Sequence, residues 1–363
     1  MRRSKQAQAA VAEAFSSAVD DGVAATKELA TTGVAQVSAK ASSLAKHETA
    51  TRSVASRLPE PIRFALVVVL SFTLSALAQS FLGEWTGGEL ATIARQPESR
   101  TEVAVLTAWR ILELALGWFG NYDGYDLAAL TLLSHGPGAY LTSEFYGIRA
   151  LTAAAYLGVD ALSAFIPFVL LRQLSGAHSA ARGVPNREIV LDKTLEALTA
   201  ILSGLIYSVV LFLACRTYLP TVLVVYFNGI PTVQPAVETV PLGLDRIPTH
   251  ILSLLFGLAA RAFIFTPLVT TPHTLEDDEV GEFDPVSATF GQTLYWNLWG
   301  YTTQTKVAIL RTAVVMFVTA VSTYLQCAMM INGVESYGAV MYAAIWVVAA
   351  MVTGLSLRYV GSV

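Results

Sequence analysis

The chain has 363 residues, of which 54% are hydrophobic and only 14% are charged, and its net charge is -4. So few charged residues exclude an ordinary soluble domain, and the acidic balance excludes the basic face that a nucleic-acid-binding protein needs. The composition therefore predicts an all-α polytopic membrane protein whose partner is the lipid bilayer. Cys215 and Cys327 lie in or beside apolar stretches, without the spacing of a zinc site or a disulfide framework, and we expect no cofactor.

Residues 1–57 differ from the rest of the chain, because they are rich in Ala, Ser, Thr and Val. Apolar or small residues recur at intervals of eleven, as from Val19 to Ala30 and from Val23 to Val34. Such a period keeps one face of a nearly straight helix apolar. In composition the segment resembles the weakly hydrophobic eleven-residue repeats of synuclein-like and lipid-droplet coat proteins. The resemblance implies an amphipathic helix in the membrane interface, and a solvated or partner-bound helix is the alternative.

Six apolar runs are long enough to cross the hydrocarbon layer, which takes about 20 residues of helix. They comprise residues 62–82, 150–171, 195–213, 251–268, 306–329 and 340–357. We therefore assign residues 58–363 to a transmembrane helical bundle with about six crossings.

Positive charges predict the orientation of this bundle. Arg52, Arg57 and Arg63 surround the start of the first span, and residues 172–193 form a basic connection after the second. Connections rich in Lys and Arg stay on the cytosolic side, so both termini are expected in the cytosol. We expect the endomembrane system, with the endoplasmic reticulum preferred to a mitochondrial membrane, because Glu13 and its acidic neighbours break the acid-poor pattern of a presequence.

Two segments between the first and second spans have alternative interpretations. Residues 103–119 are apolar but carry Arg110 and Glu113, which lie on one helical face and can pair. An arginine at a helix centre costs roughly 2.5 to 3.5 kcal/mol on insertion, so this is either an interfacial helix, which the charges favour, or a span buried in the bundle. In residues 120–147, a short apolar run followed by His135-Gly-Pro-Gly is typical of a re-entrant segment or of a surface loop with a short helix.

Residues 218–243 give the clearest non-helical pattern in the chain. A β-branched run, Asn228-Gly229 and a second extended run predict a type I′ hairpin, and the prolines of the second arm restrict that arm to an edge. We therefore expect a small extramembrane β-hairpin.

The intramembrane charges are the candidate polar or ligand-binding residues, since each is costly unless it is paired or solvated. Asp160 and Arg261 lie near the middle of their spans, and we predict that they pair, or that each pairs with Arg110 or Glu113. Together with His135, these residues form either a polar pathway or a structural ion pair that holds spans together. The structural alternative is favoured.

Motifs for catalysis and metal binding are weak in this sequence, and we assign no catalytic residue. His273 and Asp278 have the H-x4-D spacing of membrane glycerolipid acyltransferases, but no glycine-based phosphate motif accompanies them. Asp123 and Asp126 form a D-x-x-D pair that could hold a divalent cation, although an ordinary loop fits better.

These patterns favour a non-enzymatic protein of membrane organisation or an assembly scaffold, because a simple carrier does not need the long N-terminal arm. Membrane-protein partners or self-association would then be expected. The first alternative is a transporter or channel with a polar site around Asp160 and Arg261. The second is a membrane-embedded lipid-modifying enzyme that uses His273 and Asp278.

Overall fold

The computed structural model describes residues 59–179, 184–237, 247–275, 277–278 and 288–361. The predicted amphipathic arm therefore lies outside the described residues. The principal helices are α1 (Glu60–Trp85), α2 (Arg100–Phe119), α3 (Gly124–Glu144), α4 (Ala150–Leu171), α5 (Lys193–Thr217), α6 (Leu219–Tyr226), α7 (Ile247–Ala260), α8 (Phe290–Trp299), α9 (Thr303–Leu325) and α10 (Ser336–Gly361). Helix α7 continues through a π-helical turn (Arg261–Phe265) into Thr266–Thr270, and α9 ends in a π-helical turn (Gln326–Met330).

Six helices of the described chain are long and apolar enough to cross a membrane: α1, α4, α5, α10, and α7 and α9 with their continuations. Each of the six apolar runs found in the sequence lies inside one of them. The prediction of an integral, multi-pass helical membrane protein is confirmed at this level. The reason is physical, because a helix satisfies its own backbone hydrogen bonds in hydrocarbon and apolar side chains then face the lipid.

Helices α2 and α3 run alongside these six as an antiparallel pair. The ring of Phe119 at the end of α2 lies 5.6 Å from that of Phe64 at the start of α1, and Asp123 before α3 contacts Ser175 just after α4. We call this the basal end; the opposite, distal end contains Trp85 and Met330. Helix α2 runs from the distal end to the basal end, and α3 runs back. The direction of α4 is therefore the same as if α1 were followed directly by α4.

The His135-Gly-Pro-Gly sequence does not break a helix, and the prediction of a re-entrant segment or surface loop is wrong. Helix α3 continues through Pro137, and fourteen of its 21 residues are buried. The glycines allow neighbouring helices to approach, because a Cβ at Gly136 would overlap the ring of Phe256 on α7. A Cβ at Gly138 would overlap the side chain of Gln326 at the end of α9.

The β-hairpin predicted over residues 218–243 is wrong in its first arm, which is helix α6. The buried residues of α6 follow helical spacing and are Leu219, Val222 and Leu223. Asn228-Gly229 does form a turn, but the preceding Phe227 makes only an isolated bridge to Val334. Packing of the apolar face of α6 has overridden the weak β-preference of its branched side chains. Residues 238–246 of the second arm lie outside the described ranges.

Candidate functional site

A cavity of about 510 Å³ lies in the distal half of the bundle. Helices α1, α2, α3 and α4 and the end of α9 line it, and most of its walls are apolar. Its ionisable lining residues are Arg110, Glu113, His135 and Asp160. The volume falls within the range of roughly 300 to 1,000 Å³ that is typical of small-molecule sites. We call it the distal cavity.

His135 joins two carboxylates that belong to two other helices. Its Nδ1 lies 3.0 Å from Oδ2 of Asp160 on α4, and its Nε2 lies 3.2 Å from Oε1 of Glu113 on α2. The side chain of Glu113 is only 6% exposed, whereas that of Asp160 is 28% exposed. The three residues therefore form a chain of ionisable groups that runs from the accessible side of the cavity into the interior.

The geometry of this chain determines how many protons it can hold. Both ring nitrogens of His135 face carboxylate oxygens, and an ionised carboxylate accepts hydrogen bonds but does not donate them. A neutral imidazole carries one N–H and can satisfy only one of the two contacts. Both contacts are satisfied when the imidazole, or one of the carboxyl groups, carries an additional proton. After loss of that proton, His135 can donate a hydrogen bond to only one of the two carboxylates.

Three groups besides the imidazole of His135 hold Glu113 at the inner end of the chain. The Oγ of Ser322 donates to its Oε1 at 2.7 Å, and Nε1 of Trp109 lies 3.1 Å from the same oxygen. Arg110 donates to Oε2 at 3.0 Å, as the spacing of the two residues predicted. A carboxylate with this many donors is favoured in its ionised form and is fixed in position.

Arg110 contacts the backbone carbonyl of Asp160 and not its carboxylate. The guanidinium donates to the carbonyl oxygen of Asp160 at 3.3 Å and to Oγ of Ser163 at 3.1 Å. The second carboxylate oxygen of Asp160 accepts a hydrogen bond from the amide of Gln79 on α1 at 3.3 Å. With a neutral imidazole the cluster carries one excess negative charge, and protonation of His135 balances it.

The predicted pair of Asp160 and Arg261 is wrong. Arg261 donates to Glu196 on α5 at 3.4 Å and to the carbonyl of Val190 at 3.3 Å. Helix α3 explains the difference, because it packs against both α4 and α7 and stands between the two helices that were expected to meet. Four of the five candidate residues thus come together at the distal cavity, and Arg261 does not.

Asp123 and Asp126, the weak metal candidates, form a capping box at the start of α3. Asp126 is fully buried and accepts two hydrogen bonds from Arg311, at 2.6 and 3.4 Å. Oxygen and nitrogen atoms of Asp123, Asp126 and His178 lie within 4.8 Å of one another and could in principle hold a metal ion. Both carboxylates already accept hydrogen bonds from protein groups, Asp123 from Ser175 and Asp126 from Arg311, and these contacts explain why the acidic residues lie together.

The contact between Asp123 and His178 shifts both pKa values. Burial disfavours the charged forms, but the 2.8 Å contact between the His178 ring and the Asp123 carboxylate outweighs it. The pKa of His178 is therefore raised and that of Asp123 is lowered. The pair fastens the connection after α4 to the start of α3.

His273 and Asp278, the residues of the acyltransferase-like spacing, lie on the surface. Their side chains are 70% and 64% exposed, and 3.9 Å separates the ring nitrogen from the carboxylate oxygen. This distance exceeds a hydrogen bond, so the carboxylate does not orient the imidazole as a general base requires.

No family model, curated protein or solved structure matches this chain. The distal cavity must therefore be interpreted from its own geometry. Sequence reasoning missed Gln79, Trp109 and Ser322, the neutral groups that complete the cluster. Each is a polar residue in a helix of mainly apolar composition, and this was the one signal in the sequence that could have identified it.

Proposed function

We propose that the protein is a proton-coupled transporter whose substrate, a small amphipathic cation, occupies the distal cavity. The observation that carries the proposal is the imidazole of His135 between the carboxylates of Asp160 and Glu113, on the wall of that cavity. Ionisable residues at membrane depth mark ion pathways and proton relays in many membrane proteins. This is the transporter alternative drawn from the sequence, without Arg261.

The nature of the substrate follows from the balance of charges. Without the additional proton the cluster has one excess negative charge, which either a proton or a bound cation can neutralise. The two therefore compete at the accessible end, beside Asp160. The apolar lining of the cavity, which includes Phe72, Leu106 and Leu325, favours a cation that also carries apolar groups.

Proton release also provides a link to helix movement. When the proton leaves, His135 on α3 keeps its contact with only one of α2 and α4. Protonation therefore changes which helices are joined across the cavity. Such a change can alternate access to the cavity between two sides of the membrane.

Proton exchange in proteoliposomes tests the proposal. The full chain is reconstituted with an internal pH-sensitive dye under an imposed pH gradient, and tetraphenylphosphonium is added as the probe cation. We expect the probe to drive proton movement, and Asp160→Asn to reduce the rate by about tenfold or more, since it removes a charge-assisted contact. His135→Gln should abolish the dependence of probe uptake on the pH gradient.

Glu84→Gln is the matched control, because it neutralises an exposed acid on α1 that does not line the cavity. It should leave the rate unchanged. Equal rates for the wild-type chain and Asp160→Asn, at equal protein incorporation, would contradict the transport proposal. Loss of the folded chain in Asp160→Asn would instead support a structural ion cluster.

The scaffold role predicted from the sequence depends on the N-terminal arm, residues 1–57. That segment lies outside the described residues, and the role stays a prediction. The cytosolic position of both termini and the endomembrane location likewise remain parts of the proposal. The positive charges around Arg63 and Arg172, which lie together at the basal end of the bundle, support the cytosolic position of the termini.

A further inference from the structure

A second pocket, of about 690 Å³, lies at the basal end of the bundle, far from the distal cavity along the helices. The start of α1, the end of α2 and the residues that follow α4 form its walls. Its lining includes the arginines Arg63 and Arg172, the acid Glu60, and the aromatic residues Phe64, Trp118 and Phe119. We call it the basal pocket, and its interpretation is independent of the transport proposal.

Arg172 is fixed in place on one side of the basal pocket. Its guanidinium donates to the carbonyl of Trp118 and to Oδ1 of Asn121. It also stacks over the indole ring of Trp118, at 5.1 Å from the ring centroid. These contacts cap the end of α2 and hold the positive charge at a defined position.

Arg63 faces the same pocket from α1 with few contacts of its own. Its Nε is buried and has no hydrogen-bond partner among the residues that the structure describes. The nearest carboxylate in the described chain is that of Glu60, 3.8 Å from Nη2, and the Glu60 side chain is 81% exposed. The Arg63 side chain is 24% exposed, so an acceptor from outside the chain can reach the rest of its guanidinium and would stabilise the charge.

The two guanidinium groups together make the basal pocket positive. Burial lowers the pKa of Arg172, and the charge of Arg63 contributes in the same direction, whereas Asp123 and Glu60 oppose the shift. Glu60 is exposed and balances only one of the two positive charges. An anion bound between the guanidiniums would relieve their repulsion.

The surroundings of the pocket favour a lipid over a soluble anion. The pocket lies at the ends of two helices that can cross a membrane, where headgroups are found. Apolar side chains beside it are exposed, with Phe119 at 74% and Ile62 at 48%. We propose that the basal pocket binds the phosphate of an anionic phospholipid between Arg63 and Arg172, with the acyl chains along α1 and α2.

Native mass spectrometry of the full chain tests this proposal. The protein is released from detergent micelles that contain equal amounts of phosphatidylglycerol and phosphatidylcholine, and retained lipids are counted. We expect phosphatidylglycerol to be preferred, and Arg63→Gln to weaken its retention by about tenfold through loss of a charge-assisted contact. Glu60→Gln, which removes the acid found among the described lining residues, should strengthen retention.

Arg100→Gln is the matched control, since Arg100 is an exposed arginine at the distal end of the bundle. It should not change retention. The proposal is overturned if Arg63→Gln and Arg100→Gln weaken retention equally, or if phosphatidylcholine is retained as well as phosphatidylglycerol. Competition by inorganic phosphate at the concentration of the lipid would also overturn it, because the site would then recognise a free anion. The opposite expected effects of Arg63→Gln and Glu60→Gln separate binding from a general loss of folding.

Discussion

Helices α1 and α3 have similar lengths but opposite roles in the bundle. In α1 only Val67, Ser71 and Leu82 are buried among 26 residues, and side chains such as Leu77 and Phe81 are 72% exposed. In α3 fourteen of 21 residues are buried, including Asp126 and Ser134. The apolar helix is therefore peripheral, and the more polar helix is central.

Hydropathy therefore detects an apolar peripheral helix such as α1 and misses a central polar helix such as α3. A peripheral helix must be apolar because hydrocarbon surrounds most of it. A central helix is surrounded by protein, so its polar groups can be satisfied by neighbouring helices. Asp126 bonded to Arg311, and His135 bonded to Asp160 and Glu113, are the examples here. Four experiments test this contrast.

The largest effect is expected at the start of α3. Asp126→Ala would leave Arg311 without its buried carboxylate, and breaking such a pair costs about 3–5 kcal/mol of unfolding free energy. Denaturant unfolding of the purified chain in detergent measures the loss. The double variant Asp126→Ala with Arg311→Met should recover part of it, because no unpaired charge remains. A loss below about 1 kcal/mol would show that water reaches this pair.

A matched pair of glycine substitutions should produce the next largest effect. Gly136→Leu on α3 would force a side chain against the ring of Phe256, and overpacking costs about 1–3 kcal/mol. Gly83→Leu on α1 meets only the hydroxyl of Tyr156 near its Cβ, at 3.8 Å, and should be neutral or slightly stabilising. Thermal unfolding of the two variants gives the comparison. Equal stability would mean that α3 is not confined as the structure shows.

The contact between His178 and Asp123 predicts a dependence of stability on pH. Because the pKa of His178 is raised above 6.5, its stabilisation is complete below that pH and is lost as pH rises through the folded-state pKa. Because the pKa of Asp123 is lowered below 3.8, its stabilisation is lost only as pH falls through that lower value. Raising the pH from about 6 to 9 should destabilise the wild-type chain by on the order of 1 kcal/mol. His178→Gln should show a flatter curve, and identical curves would contradict the assignment.

The smallest effect is expected on the outer face of α1. Leu77→Ala removes a side chain that contacts little protein, so the unfolding free energy should change by less than about 0.5 kcal/mol. Leu133→Ala on α3, whose side chain is 1% exposed, is the matched substitution and should cost about 2–5 kcal/mol. If the two substitutions had equal costs, the contrast between periphery and centre would fail.

The prediction of residues 103–147 shows where sequence reasoning stopped. The pairing of Arg110 with Glu113 followed from their spacing, because helical geometry places residues three apart on one face. The spacing does not show whether that face of the helix contacts water, lipid or another helix. His135-Gly-Pro-Gly was interpreted from the helix-breaking tendency of its residues, whereas the structure uses its glycines for close packing.

The membrane setting and the six apolar helices followed from the sequence alone, because such long apolar runs have the length and composition of membrane spans. Five candidate polar residues could also be identified from the sequence, since charges in apolar segments are few, and four of them meet at the distal cavity. Only the tertiary structure decided their partners, with His135 between Asp160 and Glu113 and with Arg261 beside Glu196. Pairing depends on which helices are neighbours, and that is set by packing between residues far apart in the chain.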